Sequence, residues 1–137
     1  MDTAEILNSY KKIAVLGYSD KPFRESNRIG IYLMNNGYAV FGVNPKLAGK
    51  TVDGIMCYGS LGEIPDEIEI VNIFRNPDAL PGIIDEVLSL PYKPKVIWTQ
   101  LEVINDEARE KAISMGFTYI EDKCIYVEHK LNPKVQK

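Results

Sequence analysis

Apolar runs alternate with segments of helical period along nearly the whole chain. Two of the runs, KIAVLG (12–17) and EIVNIF (69–74), are almost continuously apolar, as expected of strands buried on both faces. The predicted strands cover residues 12–17, 38–43, 55–58, 69–74, 95–100 and 117–121, with 124–128 as an extension of the last. Strands joined by helices need crossover connections, so the pattern predicts an α/β fold. We expect a Rossmann-like, open, mostly parallel sheet with helices on both faces.

Capping residues and glycines bound the predicted helices. These helices cover residues 26–37, 76–90 and 105–116. Ser26 and Asn105 are favourable N-caps, and Gly37 and Gly116 are typical of helix C-termini. The polar stretch 46–54 is predicted to be a loop.

Composition narrows the class of protein. The chain has 137 residues, of which 45% are hydrophobic and 26% charged, so we expect a single globular domain over residues 1–137. A net charge of -3 argues against nucleic-acid binding. No signal peptide or membrane-spanning run is visible, and Cys57 and Cys124 lack C-x-x-C spacing. The sequence therefore predicts a cytoplasmic protein with neither a membrane nor a nucleic acid as partner.

Four segments are expected to meet at one edge of the sheet. In open parallel sheets, ligands bind beyond the carboxyl ends of the strands, here at 17–28, 44–46, 74–77 and 99–102. Gly17, Tyr18, Ser19 and Asp20 leave the first strand, and Arg24 and Arg28 add positive charge further along this segment. A glycine there lets the backbone approach a ligand, and the next helix N-terminus favours phosphate. An ordinary strand–helix connection with a packing glycine is an equally good interpretation.

The end of the second strand bears on the choice of nucleotide. An NAD-binding domain places an acid there, whereas this chain has Asn44 and Lys46. A cation favours an additional phosphate on the ribose, as in coenzyme A or NADP, although Lys46 is also compatible with an ordinary surface lysine. The glycine fingerprint G-x-G-x-x-G is absent.

Polar and aromatic residues follow two further strands. Phe74 and Arg75 can stack on a base or bind phosphate, or can be a core residue and a solvated one. Gln100 carries both a donor and an acceptor, which suits an amide or an adenine edge.

An ordered set of motifs covers nearly the whole chain. They are Gly17-x-Ser19-x-x-Pro22-x-Arg24-x-Ser26, Gly37-Tyr38-x-Val40, Val43-Asn44-Pro45-Lys46 with Gly49, Cys57-Tyr58-x-Ser60-Leu61, Ile64-Pro65, Val71-x-Ile73-Phe74-Arg75, Trp98-x-Gln100-Leu101-x-Val103-x-Asn105 and Asp122-Lys123-Cys124. In this order they resemble the stand-alone CoA-binding protein family, which is similar to the CoA-binding domain of the succinyl-CoA synthetase alpha subunit.

The resemblance implies a Rossmann-like sheet with coenzyme A at its C-terminal edge. Gly17 and Ser19 would lie at the pyrophosphate, and Lys46 would meet the adenosine phosphates. Phe74 and Arg75 would line the mouth, and Gln100 would face the pantetheine. The implied ligand is coenzyme A or an acyl-CoA, and a homodimer or an unidentified protein partner is left open.

Catalytic machinery is not evident in the sequence. The single histidine, His129, lies outside the four segments, and no His/Cys cluster has metal-ligand spacing. We therefore expect a non-catalytic CoA-binding module. A small NADP-dependent oxidoreductase or other nucleotide-binding enzyme and an interaction domain with a vestigial pocket are the alternatives. A mixed disulfide between Cys124, which lies beside Lys123, and coenzyme A is a further open question.

Overall fold

A seven-stranded sheet forms the centre of the protein. The computed structural model describes residues 1–136. The strands are β1 (Lys12–Leu16), β2 (Ala39–Val43), β3 (Thr51–Val52), β4 (Ile55–Tyr58), β5 (Ile70–Ile73), β6 (Val96–Thr99) and β7 (Thr118–Ile120). Their order is β3-β4-β2-β1-β5-β6-β7, and every pair is parallel except the antiparallel β3–β4 pair. The predicted open, mostly parallel sheet is thereby confirmed.

Five α-helices cover both faces of this sheet. They are α1 (Thr3–Ser9), α2 (Glu25–Asn35), α3 (Leu80–Leu88), α4 (Asp106–Ser114) and α5 (Ile125–Leu131). Helices α1, α2 and α5 contribute to one hydrophobic core, and α3 and α4 contribute to the other. Along β1, Ile13 and Val15 enter the first core, whereas Ala14 and Leu16 enter the second. This alternation explains why the strand is apolar at every position except its first.

The segment 124–128 corrects the sequence-based prediction. It was expected to extend the last strand, but it begins helix α5. Ile125 and His129, one helical turn apart, are both buried against the other helices on that face, and Glu128 accepts a hydrogen bond from the Thr3 hydroxyl at 2.5 Å. Packing on α1 and α2 therefore outweighs the strand propensity of this β-branched and aromatic segment.

Two other segments differ from expectation. The stretch 46–54, predicted as a loop, contains strand β3, which pairs with β4, and a 3₁₀ turn at Pro45–Leu47 overlaps its start. Helix α1 was not predicted at all. It is short, and Asp2 caps it through a reciprocal capping box with Glu5. Both segments are too short for periodicity to reveal them.

Gly17 ends β1 in a conformation that depends on glycine. Its φ is +86°, and a Cβ atom at this position would lie 2.1 Å from the backbone oxygen of Phe74. The sequence left two interpretations of this glycine, ligand approach and packing, and the clash with Phe74 shows that a glycine is needed for packing between β1 and β5. Within residues 1–136, no helix combines the length and the apolar character needed to cross a membrane.

We expect Gly17→Ala to lower the free energy of unfolding by at least about 2 kcal/mol, because it combines a left-handed backbone with a steric clash. Gly82→Ala is the matched control, since Gly82 lies in α3 and an added methyl group there would have no neighbouring atom within 4 Å. The Gly82→Ala substitution should raise the free energy of unfolding by about 0.5–1 kcal/mol. Urea denaturation measures both, and equal stabilities for the two variants would contradict this account of Gly17.

Candidate functional site

An open cavity of about 500 Å³ lies at the carboxyl ends of the central strands. Its size is typical of pockets that hold small molecules. The residues that line it are Gly17, Ser19, Arg24, Glu25, Ser26, Phe74, Arg75, Asn76, Gln100, Leu101, Val103 and Cys124. They follow β1, β5, β6 and β7, and three of the four segments expected at this edge contribute to them. Segment 44–46 does not.

Buried hydrogen bonds hold the loop between β1 and α2. Asn27, only 1% exposed, donates from Nδ2 to the carbonyl of Ser19 at 2.9 Å and to Asp53 Oδ2 at 3.0 Å. Ser19 Oγ accepts the N–H of Lys21 at 3.1 Å. The Ser19 hydroxyl hydrogen therefore remains available to donate to a group in the cavity. The hydrogen bonds of Asn27 hold the loop that carries Ser19 in place.

Helix α2 directs its N-terminus at the cavity. The N-cap residue is Arg24, and its side chain makes no capping hydrogen bond to the backbone N–H groups at this end of the helix. Ser26, predicted as the N-cap, instead lies in the first turn, where it is buried and lines the cavity. An uncapped 11-residue helix presents backbone donors and partial positive charge to an anion.

The cavity lining carries a small excess of positive charge. Arg24 and Arg75 are the cations, and Glu25 is the one carboxylate among the described lining residues. Phe74, half-buried beside Arg75, adds an aromatic surface. The two guanidinium groups favour a phosphate ligand, and Glu25 opposes it.

Six of the eleven residues predicted from the sequence line this cavity. They are Gly17, Ser19, Arg24, Phe74, Arg75 and Gln100. The other five, Tyr18, Asp20, Arg28, Asn44 and Lys46, do not. Asp20 and Lys46 are exposed nearby, and Arg28 donates from Nη1 to the carbonyl of Phe23 at 2.9 Å.

Tyr18, one of the eleven residues predicted from the sequence, places its side chain in the core. Its side chain is fully buried, and a Cβ atom added at either Gly30 or Gly42 would come within 2.8 Å of its ring. Its hydroxyl donates to the carbonyl of Val52 at 3.1 Å. Burial, reinforced by the Asp53 carboxylate, raises the pKa of Tyr18 to about 12, so the hydroxyl remains a donor at neutral pH.

Asn44 organises the backbone at the edge of the sheet. Its Nδ2 donates to the carbonyl of Tyr18 at 2.9 Å, and its Oδ1 accepts the N–H of Lys46 at 3.0 Å. Both ends of the amide are thereby engaged within the protein. Asn44 thus connects the loop after β1 to the turn that carries Lys46.

Gln100 is likewise held by the protein. Its Nε2 donates to Asn72 Oδ1 at 2.5 Å, and its Oε1 accepts the N–H of Ile125 at 3.3 Å. The side chain is 5% exposed, so it forms part of the cavity floor and not of its open mouth.

Several lining residues were not selected from the sequence. Glu25 gave no distinctive signal, Asn76 was expected only to begin a helix, and Val103 was quoted only within a motif. Leu101 was quoted only as part of a motif. Cys124 was considered from the sequence only for a mixed disulfide with coenzyme A, not as a binding residue. It lies on a segment expected to be a strand, and the turn into α5 brings it to the cavity.

Comparisons with known proteins show what the chain is similar to. A family model described as a CoA binding domain matches residues 11–130. The chain is 39% identical over 128 residues to the uncharacterized protein YneT of Bacillus subtilis, covering 91% of this chain and 90% of that protein. A hypothetical protein from Pyrococcus horikoshii superposes with a TM-score of 0.87 at 38% identity, over 95% of this chain and 89% of that one. A protein from Thermus thermophilus gives 0.88 at 33% identity, over 96% and 98%.

We expect Asn44→Ala to lower the free energy of unfolding by about 1–2 kcal/mol, because it removes a cap and a tertiary hydrogen bond together. Asn76→Ala is a matched control. Asn76 caps a similar 3₁₀ turn by accepting the N–H of Asp78 at 2.9 Å, and its loss should cost about half as much. Thermal and urea denaturation measure both variants. A smaller loss of unfolding free energy for Asn44→Ala than for Asn76→Ala would contradict the role of Asn44 in connecting the loop after β1 to the turn that carries Lys46.

Proposed function

The chain belongs to the family of CoA-binding domains, and on that premise we propose that it binds coenzyme A, free or acylated, in the cavity and catalyses no reaction itself. The observation that carries this proposal is the meeting of the uncapped N-terminus of α2 with Arg24 and Arg75 at the carboxyl ends of β1 and β5. A phosphate-bearing ligand suits that combination, and the family supplies its identity.

The pyrophosphate occupies the end of the cavity nearest α2. Gly17 leaves no side chain between the backbone and the ligand, and Ser19 and Ser26 offer hydroxyl donors. Because the loop is held by Asn27, these donors are in place before binding, which lowers the entropy cost of association.

The pantetheine arm extends toward the end of the cavity formed by the residues that follow β6. Leu101 and Val103 provide apolar contacts for its carbon chain, and Gln100 lies in the floor beneath it. An arm that contains short carbon chains suits the two apolar side chains at this end of the cavity.

The ribose phosphate extends beyond the cavity toward Lys46. This lysine is exposed in the 3₁₀ turn Pro45–Leu47 that follows β2, next to β1 in the sheet. A cation at this strand end suits a phosphorylated ribose and replaces the acid found in NAD-binding domains.

The proposal that the chain catalyses no reaction rests on where His129 and Cys57 lie, both of them outside the cavity lining. His129 is 2% exposed and packs among helices with the Tyr32 hydroxyl 2.7 Å from its Nδ1, so it is not part of the cavity lining. Burial raises the pKa of the Cys57 thiol, which disfavours its thiolate. Among residues 1–136, no three His, Cys, Asp or Glu side chains are grouped to hold a metal ion.

Removal of the ribose phosphate tests the proposed function. We expect coenzyme A to bind roughly tenfold more tightly than dephospho-CoA, and Lys46→Ala to remove most of that difference. Calorimetry of both ligands against the two proteins measures this, and the preference should weaken as salt is added. Tighter binding of NADP than of coenzyme A would favour the alternative of an NADP-dependent enzyme.

The charged residues of the lining should act in opposite directions. Glu25→Gln should tighten coenzyme A binding by about two- to fivefold, since it removes the carboxylate that opposes the phosphates. Arg75→Gln should weaken it by at least a similar factor, of order fivefold. The two variants change one charge each on exposed side chains of the same cavity, so each controls for the other. If both substitutions shifted affinity in the same direction, the phosphates would have to lie elsewhere.

A further inference from the structure

The two cysteines of the chain lie in different environments. Cys57 is fully buried in β4, whereas Cys124 is partly exposed and lines the cavity. Neither is in a disulfide. A thiol in the wall of a cavity is accessible to whatever the cavity binds, which distinguishes Cys124 from Cys57.

A buried amide that is hydrogen-bonded to Gln100 has one polar atom without a partner in the described part of the chain. Asn72, 0% exposed, accepts from Gln100 through Oδ1, but its Nδ2 has no partner among residues 1–136. Asn72 lies two residues before Phe74 and so shares its face of β5, and both Phe74 and Gln100 line the cavity. The unpaired donor therefore belongs to a side chain that is one hydrogen bond away from the lining residue Gln100.

Because Asn72 Nδ2 is a buried donor without a partner among the described residues, we expect a hydrogen-bond acceptor of the ligand to bind near it, at the end of the cavity that Gln100 and Cys124 line. Leaving such a group unpaired costs about 1–3 kcal/mol, which a carbonyl oxygen in the cavity would recover. Gln100 connects Asn72 to the segment that carries Cys124. Its Nε2 donates to Asn72, and its Oε1 accepts the N–H of Ile125, the residue after Cys124. A ligand amide placed over Asn72 would lie close to the Cys124 sulfur.

We propose that Cys124 is a site of thiol–disulfide exchange with disulfides of coenzyme A. This inference rests on the proposed function, because the amides that would reach Asn72 and the sulfur that would meet Cys124 both belong to the pantetheine arm of coenzyme A. The Cys124 thiolate attacks one sulfur of CoA disulfide, and a Cys124–S–S–CoA bond forms as the original disulfide bond breaks. The second coenzyme A leaves as a thiolate and takes up the proton that Cys124 gave to solvent. Cys124 is oxidised, and the departing half of the disulfide is reduced.

Intact-protein mass spectrometry without reductant tests the exchange. The full chain incubated with CoA disulfide should gain the mass of one coenzyme A less two hydrogens, one from each thiol, and dithiothreitol should reverse the gain. Cys124→Ser should abolish the adduct, and Cys57→Ser should retain it. Because binding places the sulfurs together, the reaction should be at least about tenfold faster than with oxidised glutathione. Excess desulfo-CoA, which lacks the thiol, should slow it.

The outcomes separate this inference from the proposed function. An adduct that persists in Cys124→Ser, or one that forms equally fast from oxidised glutathione, would overturn the exchange site. Calorimetry with reduced coenzyme A on wild type and Cys124→Ser supplies the second measurement. Binding of coenzyme A without any adduct from its disulfide overturns only the exchange. No binding of coenzyme A at all overturns the proposed function together with it.

Discussion

The position of β1 in the middle of a parallel sheet determines where everything else can lie. β1 pairs with β2 on one side and β5 on the other, and the chain leaving β1 turns to α2 on one face while the chain leaving β5 turns to α3 on the other. The two connections diverge at the carboxyl edge, and the space between them is the cavity. Pairing continues to the very end of the strand, since Gly17 N–H donates to the Val43 carbonyl at 2.9 Å and Phe74 N–H donates to the Leu16 carbonyl at 2.9 Å.

The architecture could be predicted because its determinants are local. Strands such as β5 are apolar on both faces and helices such as α4 carry a clear cap, with Asn105 Oδ1 accepting the Ala108 N–H at 3.0 Å. Segment 124–128 and helix α1 could not be predicted on the same basis. Helix α1 is capped locally by Asp2 and Glu5 but is too short for its period to show. Segment 124–128 packs against the other helices, and one of its contacts is the Thr3–Glu128 hydrogen bond, which joins residues 125 positions apart. No local pattern contains such a pairing.

The candidate site shows a similar division. A parallel sheet brings its strand ends together, so residues directly after β1, β5 and β6 could be named in advance. Side-chain direction was not predictable, because Tyr18 and Ser19 are adjacent yet one enters the core and the other lines the cavity. Asn44 and Asn76 are equally polar, so polarity alone could not separate them. Both polar atoms of the Asn44 side chain bind the protein backbone, whereas Asn76 lines the cavity. Cys124 lines the cavity because the chain turns into α5 at that point, and no sequence pattern predicts that turn.

The packing of Tyr18 ties together three positions that are distant along the chain. Its ring fills the space left by the missing side chains of Gly30 in α2 and Gly42 in β2, so any side chain there would collide with it. Among relatives, a larger residue at position 30 or 42 should therefore be accompanied by a smaller one at position 18. The three positions are expected to vary as a unit during evolution, and a mutational route that changes one of them first must pass through a less stable intermediate.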